Sequence, residues 1–449
     1  MMASQTIKEK FVELKNSKQT PPNARPKIQR VQEYLRSRKN FEQHYSPKLV
    51  SIGPIHHDNP TLKLGEKYKL MWAAKYIENT GLIPEELHKK IADNIDELKG
   101  RFSDDVLTLT GNSLQGFECL DEKLSWILFM DGCSLLHILD NIMYLLPMNI
   151  KVDQLALVRE DVLLLENQLP YEVLKLLWKD EDESGLIKSM RSFHNCIYFV
   201  GSEAEKEKEG NGEHSVSIPN ESQSETPTHL LDLQRKIILT TSNSKKKINE
   251  AKIREWRWKN SEENIPITYR GIEDLRAVGI RLKASATGRP TDVDFTAGWF
   301  TAKLTIPVIY VNNLAASTLL NLIAYEMCPD FDNDCGICSY VALMDSLIDH
   351  PEDVKVLRSK GILCTVWSDE EVASLFNIIG TDLVANIDKY FYVQLKLREH
   401  YFNKYKTWIA LGFRTYLNNP WAVIAFLAAF TALALTFIQT WFTVHPANK

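Results

Sequence analysis

The chain has 449 residues, 25% of them charged and 44% hydrophobic, with 53 Lys and Arg against 58 Asp and Glu for a net charge of −5. That balance is ordinary for a globular protein and excludes a dedicated nucleic-acid binder. The length allows two or three domains, or one large helical body with insertions.

Residues 1–25 are polar and end in Pro21-Pro22, which predicts a flexible lead-in. They contain no apolar core of the kind a secretory signal needs. Residues 26–57 read as irregular and close on Val50-Ser-Ile-Gly-Pro-Ile-His-His57. Pro84 then opens an amphipathic helix with Leu87, Ile91, Ile95 and Leu98 on one face, running toward Gly100. Residues 120–146 are densely apolar. The next pattern places Leu155, Val158, Val162, Leu165 and Leu169 on one helix, with Pro170 as a break or a new start. Tyr171 to Lys179 is helical in pattern again.

Composition changes at residues 201–229, which are rich in Glu, Lys, Ser and Asn and poor in large apolar side chains. Such a segment buries too little to order itself, so it reads as a disordered polar and acidic insertion between helical residues 26–200 and α+β residues 230–416. After Pro266 the period becomes alternating: Ile280, Leu282 and Ala284 interleave with Arg281 and Lys283, and Phe300, Ala302, Leu304 and Ile306 with Thr301, Lys303 and Thr305. This predicts two strands of a small antiparallel sheet within 278–311, with Val308 to Val311 as an extension. Helical pattern resumes at Asn321, with Pro351 near a helix start and Gly361 past its end. Ser368-Asp-Glu-Glu371 is a capping box ahead of Val372, Leu375 and Phe376. A last helix, about Leu383 to Tyr416, leads to the most distinctive stretch of the chain.

From Pro420 to Val444 there is no Asp, Glu, Lys or Arg. Thr431, Thr436, Gln439 and Thr440 interrupt its apolar surface, whereas a buried core helix ordinarily keeps a polar stripe. Trp421 and Trp441 near its ends stand about 30 Å apart at helical rise, the thickness of the hydrocarbon layer. The expectation is a tail anchor inserted after translation, with the lipid bilayer as partner. Lys404, Lys406 and Arg414 upstream against Lys449 downstream put the large N-terminal body in the cytosol. Ala425, Ala428, Ala429 and Ala432 offer small-residue spacing through which two spans could associate. The fold class is therefore mainly α with a small antiparallel β-sheet, a large soluble body and one C-terminal transmembrane helix.

Chemistry-bearing motifs are sparse. Adjacent His56 and His57 face different directions on any regular element and seldom share a metal. Glu166-Asn167-Gln168 is a polar triplet on a helix otherwise apolar; Glu166 could be a general base, or the triplet could satisfy backbone groups freed at Pro170. Asp131-Gly-Cys133 could hold a nucleophilic thiol if a base lay beside it. Asp292-Val-Asp294 resembles the short acidic pair that binds a metal-nucleotide in some transferases, and turn chemistry explains it as well. The seven cysteines, including Cys335-Gly-Ile-Cys338, are odd in number and irregular in spacing, which suits free thiols in a reducing compartment. Lys245-Lys-Lys247 reads as a solvated loop, and the sequon at Asn220 would carry glycan only if lumenal. No catalytic, cofactor or metal residue set is assigned, and no nucleic-acid partner is expected.

The stretches Tyr45-Ser-Pro-Lys-Leu-Val-Ser-Ile-Gly-Pro-Ile-His-His57, Met130-Asp-Gly-Cys-Ser-Leu-Leu136, Asp161-Val-Leu-Leu-Leu-Glu-Asn-Gln-Leu-Pro170, Asn321-Leu-Ile-Ala-Tyr-Glu326 and Asn419-Pro-Trp421 carry a resemblance. Together with Leu304-Thr-Ile-Pro307 and Asp353-Val-Lys-Val-Leu357, they cover nearly the whole chain in order. The chain resembles the plant domain-of-unknown-function 247 family of C-terminally anchored membrane proteins. The resemblance implies a plant source, a membrane location that is often the plasma membrane, and no established catalytic residues. Some grass members of that family are implicated in self-incompatibility. Three functions follow as expectations: a membrane-tethered protein-interaction or signalling component without enzymatic activity; a recognition protein with its body outside the cell; and an enzyme of unfamiliar type whose site gathers His56, His57, Asp131, Glu166 and Asn167.

Overall fold

The structure, a computed structural model, describes residues 10–11, 14, 27–38, 41–114, 116–141, 145–198, 226–240, 270–285, 289–298, 302–332, 334–381, 383, 385–386, 388–402 and 420–444. Most of the lead-in 1–25, insertion residues 201–225 with Asn220, Lys245-Lys-Lys247, and the expected helix beyond Phe402 lie outside the described residues.

The principal helices are α1 Lys63–Thr80, α2 Pro84–Asp93, α3 Leu120–Asn141, α4 Val152–Asp161, α5 Tyr171–Leu177, α6 Glu183–Tyr198, α7 Leu230–Leu239, α8 Ile272–Ala277, α9 Asn313–Glu326, α10 Gly336–Leu347, α11 Pro351–Ser359, α12 Asp369–Gly380, α13 Phe391–Tyr401 and α14 Pro420–Val444. The strands are β1 Ile280–Ala284, β2 Asp294–Ala297, β3 Ala302–Ile306, β4 Ile309–Val311 and β5 Leu363–Thr365. The fold is predominantly helical with a small sheet, as the residue pattern predicts.

The chain divides into two compact units, the first Met1–Arg235 with Ser317–Asp334, the second Lys236–Ala316 with Cys335–Lys449. In the first unit α3 is the central helix, and α1, α2, α5 and α6 pack on it. Between Lys123 and Leu139 it is buried on nearly all sides because neighbours enclose it: Leu124, Ile127, Leu128, Cys133, Leu136 and Ile138 are sealed from solvent. Trp72 and Tyr76 of α1 fill the adjoining core while their polar tips find carbonyls, Trp72 Nε1 on Met148 O at 2.9 Å and Tyr76 Oη on Leu177 O at 2.8 Å.

One expected helix ends early. The pattern from Leu155 to Leu169 yields α4 only to Asp161, and Val162–Pro170 is irregular. Gln168 explains this: its Nε2 donates to Val162 O at 2.9 Å and Leu164 O at 2.8 Å, carbonyls a continuing helix would use. Leu165 N–H is drawn to Asn321 Oδ1 at 2.8 Å. The triplet Glu166-Asn167-Gln168 thus stands on a folded loop and not on a helix.

In the second unit α12 packs on α10 and α11, and α8 on α11. The capping box at Ser368 forms as read: Glu371 N donates to Ser368 Oγ at 3.2 Å and Ser368 N to Glu371 Oε2 at 2.9 Å. Gly361 lies past the end of α11 with φ +65°. The sheet has order β1-β3-β2 and is mixed rather than wholly antiparallel: β3 pairs antiparallel with β2 but parallel with β1, Ile280 opposite Ala302. The strand that makes the difference, β2, has four residues with only Phe295 buried, too short for alternation to announce it. Val308 to Val311 does not extend this sheet. Pro307, without an N–H, closes β3, and β4 pairs with β5 in a separate parallel pair.

Helix α14 is long and apolar enough to cross a membrane; over Ile424–Trp441 its mean hydropathy is 1.7 and none of it is buried. Its threonines spend their hydroxyls inside the helix, Thr436 Oγ1 on Ala432 O at 2.7 Å and Thr440 Oγ1 on Thr436 O at 2.8 Å. Such internal bonds suit a hydrocarbon surround, where water cannot satisfy a hydroxyl.

Candidate functional site

The sequence-identified polar residues meet around one irregular segment of the first unit, His44 to His57. Much of that segment has no ladder partner, so its buried N–H groups need side-chain acceptors. Asp161, at the end of α4, takes three of them: Lys48 N at 2.9 Å on Oδ1, Leu49 N at 2.7 Å and Val50 N at 2.8 Å on Oδ2. Asn167 Oδ1 accepts Ile52 N at 2.6 Å, and its Nδ2 donates to Val50 O and Asp161 O, both at 2.9 Å. Asp131, on α3, accepts Gly53 N at 2.8 Å. Gly53 has φ +79°, and a Cβ there would lie 2.8 Å from Gln168 O, so both backbone conformation and space require glycine. Gly65 on α1 serves a second close approach, since a Cβ would come within 1.9 Å of Leu49 O.

Two buried charged clusters bracket the segment. In one, Lys69 Nζ lies 2.6 Å from Asp131 Oδ1, 2.9 Å from Glu66 Oε1 and 3.2 Å from Ser51 Oγ. Burial alone would depress the Lys69 ammonium, but Asp131 and Glu66 outweigh it and hold the group above the usual lysine value. The same burial draws the Asp131 carboxyl upward, with Lys69 and then His57 pulling it back. In the other, Glu166 accepts Val31 N at 2.7 Å and Arg36 at 2.5 Å on Oε1, and His56 Nε2 at 2.8 Å on Oε2. Burial works to raise this carboxyl; hydrogen bonds from His56 and Arg36 overcome it and leave it below the ordinary glutamate value.

A third chain of contacts ties the segment to α9. Ser317 Oγ gives its one proton to Glu160 at 2.7 Å, so the 2.7 Å contact with His44 Nδ1 is an N–H donation from the imidazole. Burial and neighbouring Lys48 keep His44 below the usual histidine value, consistent with a neutral ring. Asn321 adds Nδ2 on His44 O at 2.8 Å. Burial pushes the Asp161 carboxyl up to about 6 against the pull of its three N–H donors.

The adjacent histidines do diverge, His56 to Glu166 and His57 into the field of Asp131. Asp131, Glu166 and Asn167 are each 1% exposed. An open cleft of about 270 Å³ lies nearby, lined by Arg30, Pro54, Ile55, His56, Asp58 and Leu109 among others; of the five candidates only His56 reaches it. Asp58 there is engaged by the fully buried Lys123 at 2.7 Å. Cys133 is buried and its thiol is pushed up to about 12 by desolvation, the opposite of an activated nucleophile. Cys119, Cys133, Cys328 and Cys364 are free thiols. Asp292 sits in the single turn Pro290–Asp292, and Asp294 begins β2.

Lys69 and Arg36 are residues that motif reading missed, and Asp161 stood only at the head of a matching stretch, with no role assigned. Lys69 falls on the buried face of α1 with Gly65, Trp72, Ala73 and Tyr76, so a lysine within an apolar stripe was the available signal. Asp161 likewise follows Val158 by one helical turn on the buried side of α4.

No solved structure matches the chain. It is 25% identical over 421 residues to the UPF0481 protein At3g47200 of Arabidopsis thaliana, covering 88% of this chain and 82% of that one. It is 28% identical over 177 residues to the putative UPF0481 protein At3g02645 of the same plant, covering 38% of this chain and 32% of that one. The profile of the DUF247 family, plant protein of unknown function, matches residues 28–435, and the chain belongs to that family.

Proposed function

We propose that this protein is a membrane-anchored interaction component whose body binds partner proteins from the cytosolic face while α14 fixes it in the bilayer. The observation that carries the reading is the employment of its polar core. Asp131, Glu166, Asn167 and Asp161 spend their oxygens on backbone N–H groups and on cations, which leaves them holding in shape a largely buried irregular segment whose half-buried end at Ile55 and His56 borders the cleft. A scaffold that rigidifies irregular backbone is what a recognition surface needs. Lys404, Lys406 and Arg414 before α14 support a cytosolic body through the positive-inside rule. Plasma membrane and endomembrane are the locations the reading allows, and signalling is the process it fits.

The test is proximity labelling of the full chain and of a variant lacking residues 420–449. The expected result is a changed location and a changed set of neighbours; identical neighbours and location would sink the tethering idea.

A second reading, an enzyme centred on His56, draws on the cleft beside it. It requires a reacting group there that His56→Gln abolishes without loss of fold.

A further inference from the structure

The solvent face of the three-stranded sheet carries an unusual placement of charge. Arg281 and Lys283 on β1 and Lys303 on β3 are all exposed, while Ile280, Leu304 and Ile306 turn to the buried face. Register sets Arg281 directly beside Lys303, and Lys283 beside Thr305. Like charges on neighbouring strands repel, and nothing in the packing of the sheet requires them there. None of the three makes an ion pair with a described residue. Among the described strand residues, the acid on this face is Asp294 on β2, which stands opposite Thr305 and is approached by Thr296 Oγ1 at 3.4 Å.

The other face of the sheet rests on α13, where the Phe295 ring meets His400 edge-on and His400 Nε2 contacts Val278 O at 3.2 Å. Helix α13 ends at Tyr401 and α14 begins at Pro420. Residues 402–419 between them reach at most about 65 Å even fully extended. The cationic face is therefore kept within reach of any bilayer that α14 enters.

We propose that Arg281, Lys283 and Lys303 form a docking surface for anionic phospholipid headgroups of the membrane that α14 enters. The inference rests on the anchored reading of α14. A strand face with three exposed cations, unpaired among the described residues, suits a plane of phosphates and carboxylates, with Arg281 able to take a phosphate bidentately. The overall charge of −5 argues against a general polyanion binder, so the attraction belongs to this patch.

The full chain reconstituted in vesicles of phosphatidylcholine, with or without phosphatidylserine, tests this by amine acylation and mass spectrometry. Lys283 and Lys303 are expected to react several-fold more slowly when phosphatidylserine is present, with exposed Lys89 on α2 unchanged. High salt, or the double variant Arg281→Gln with Lys303→Gln read at Lys283, is expected to remove the protection. Equal reactivity in both lipid compositions overturns the proposal, as does protection by an oligonucleotide but not by phosphatidylserine. Carbonate extraction of the same vesicles reads insertion of α14 separately, so a failed anchor and a failed docking surface give different results.

Discussion

The Lys69 ammonium lies 2.6 Å from the Asp131 carboxylate, with side chains 2% and 1% exposed. Removing one partner of such a pair strands the other. Asp131→Ala is expected to cost about 3–5 kcal/mol, whereas the double variant Lys69→Met with Asp131→Leu should cost much less. Denaturant unfolding of the full chain in detergent measures both. Equal losses in the single and double variants would contradict the assignment.

Glu166 gives the pH dependence its sign. Its folded-state value is held below the ordinary 4.5 by His56 and Arg36 against the opposing effect of burial. A depressed carboxyl adds stability that is complete above the unfolded value and is lost as pH falls through the folded one. The stability gap between the parent and Glu166→Gln should therefore be widest near neutrality and narrow below about pH 4.5. A gap independent of pH would show that the charge of Glu166 contributes nothing.

Asn167 joins three backbone groups, accepting from Ile52 and donating to Val50 and Asp161. Each buried group left unsatisfied costs about 1–3 kcal/mol. Asn167→Ala is expected to speed amide exchange across residues 48–53 before the rest of the unit, read by hydrogen-exchange mass spectrometry. Uniform loss of protection would mean that Asn167 supports the fold generally and not this segment.

Gly53 and Gly81 both have positive φ, +79° and +68°, but only Gly53 has a neighbour in the way, Gln168 O. Alanine at either site meets the left-handed cost of about 1–2 kcal/mol. Gly53→Ala should lower the melting temperature clearly further than Gly81→Ala. Equal shifts would remove the argument from close approach.

Much of this architecture was legible in the residues. Ser368 and Glu371 cap α12 as a reciprocal pair, Pro420–Val444 is a helix of the expected length, and Pro84 opens helical chain toward Gly100, although Asn94 breaks the one expected helix into α2 and a short Ile95–Lys99. What was hidden depends on partners distant in sequence. Gln168 ends the periodic pattern of α4 by bonding back to Val162 and Leu164, and Asn321 reaches Leu165 from more than a hundred residues away. Local periodicity carries no trace of such bonds. The parallel pairing of β1 with β3 was equally out of reach, because alternation marks a strand but says nothing about its direction. Within the candidate site, His56 and Glu166 were gathered in one expected enzyme site, but the bond that joins them at 2.8 Å, and the burial that keeps Glu166 from the cleft, are facts of the fold.

Membrane attachment is most directly measured by carbonate extraction of plant membranes bearing the full chain or a variant lacking 420–444. The full chain is expected to remain in the membrane pellet, and the shortened one to be released with its body folded. A shortened chain that stays carbonate-resistant, with its neighbours unchanged, would contradict attachment through α14.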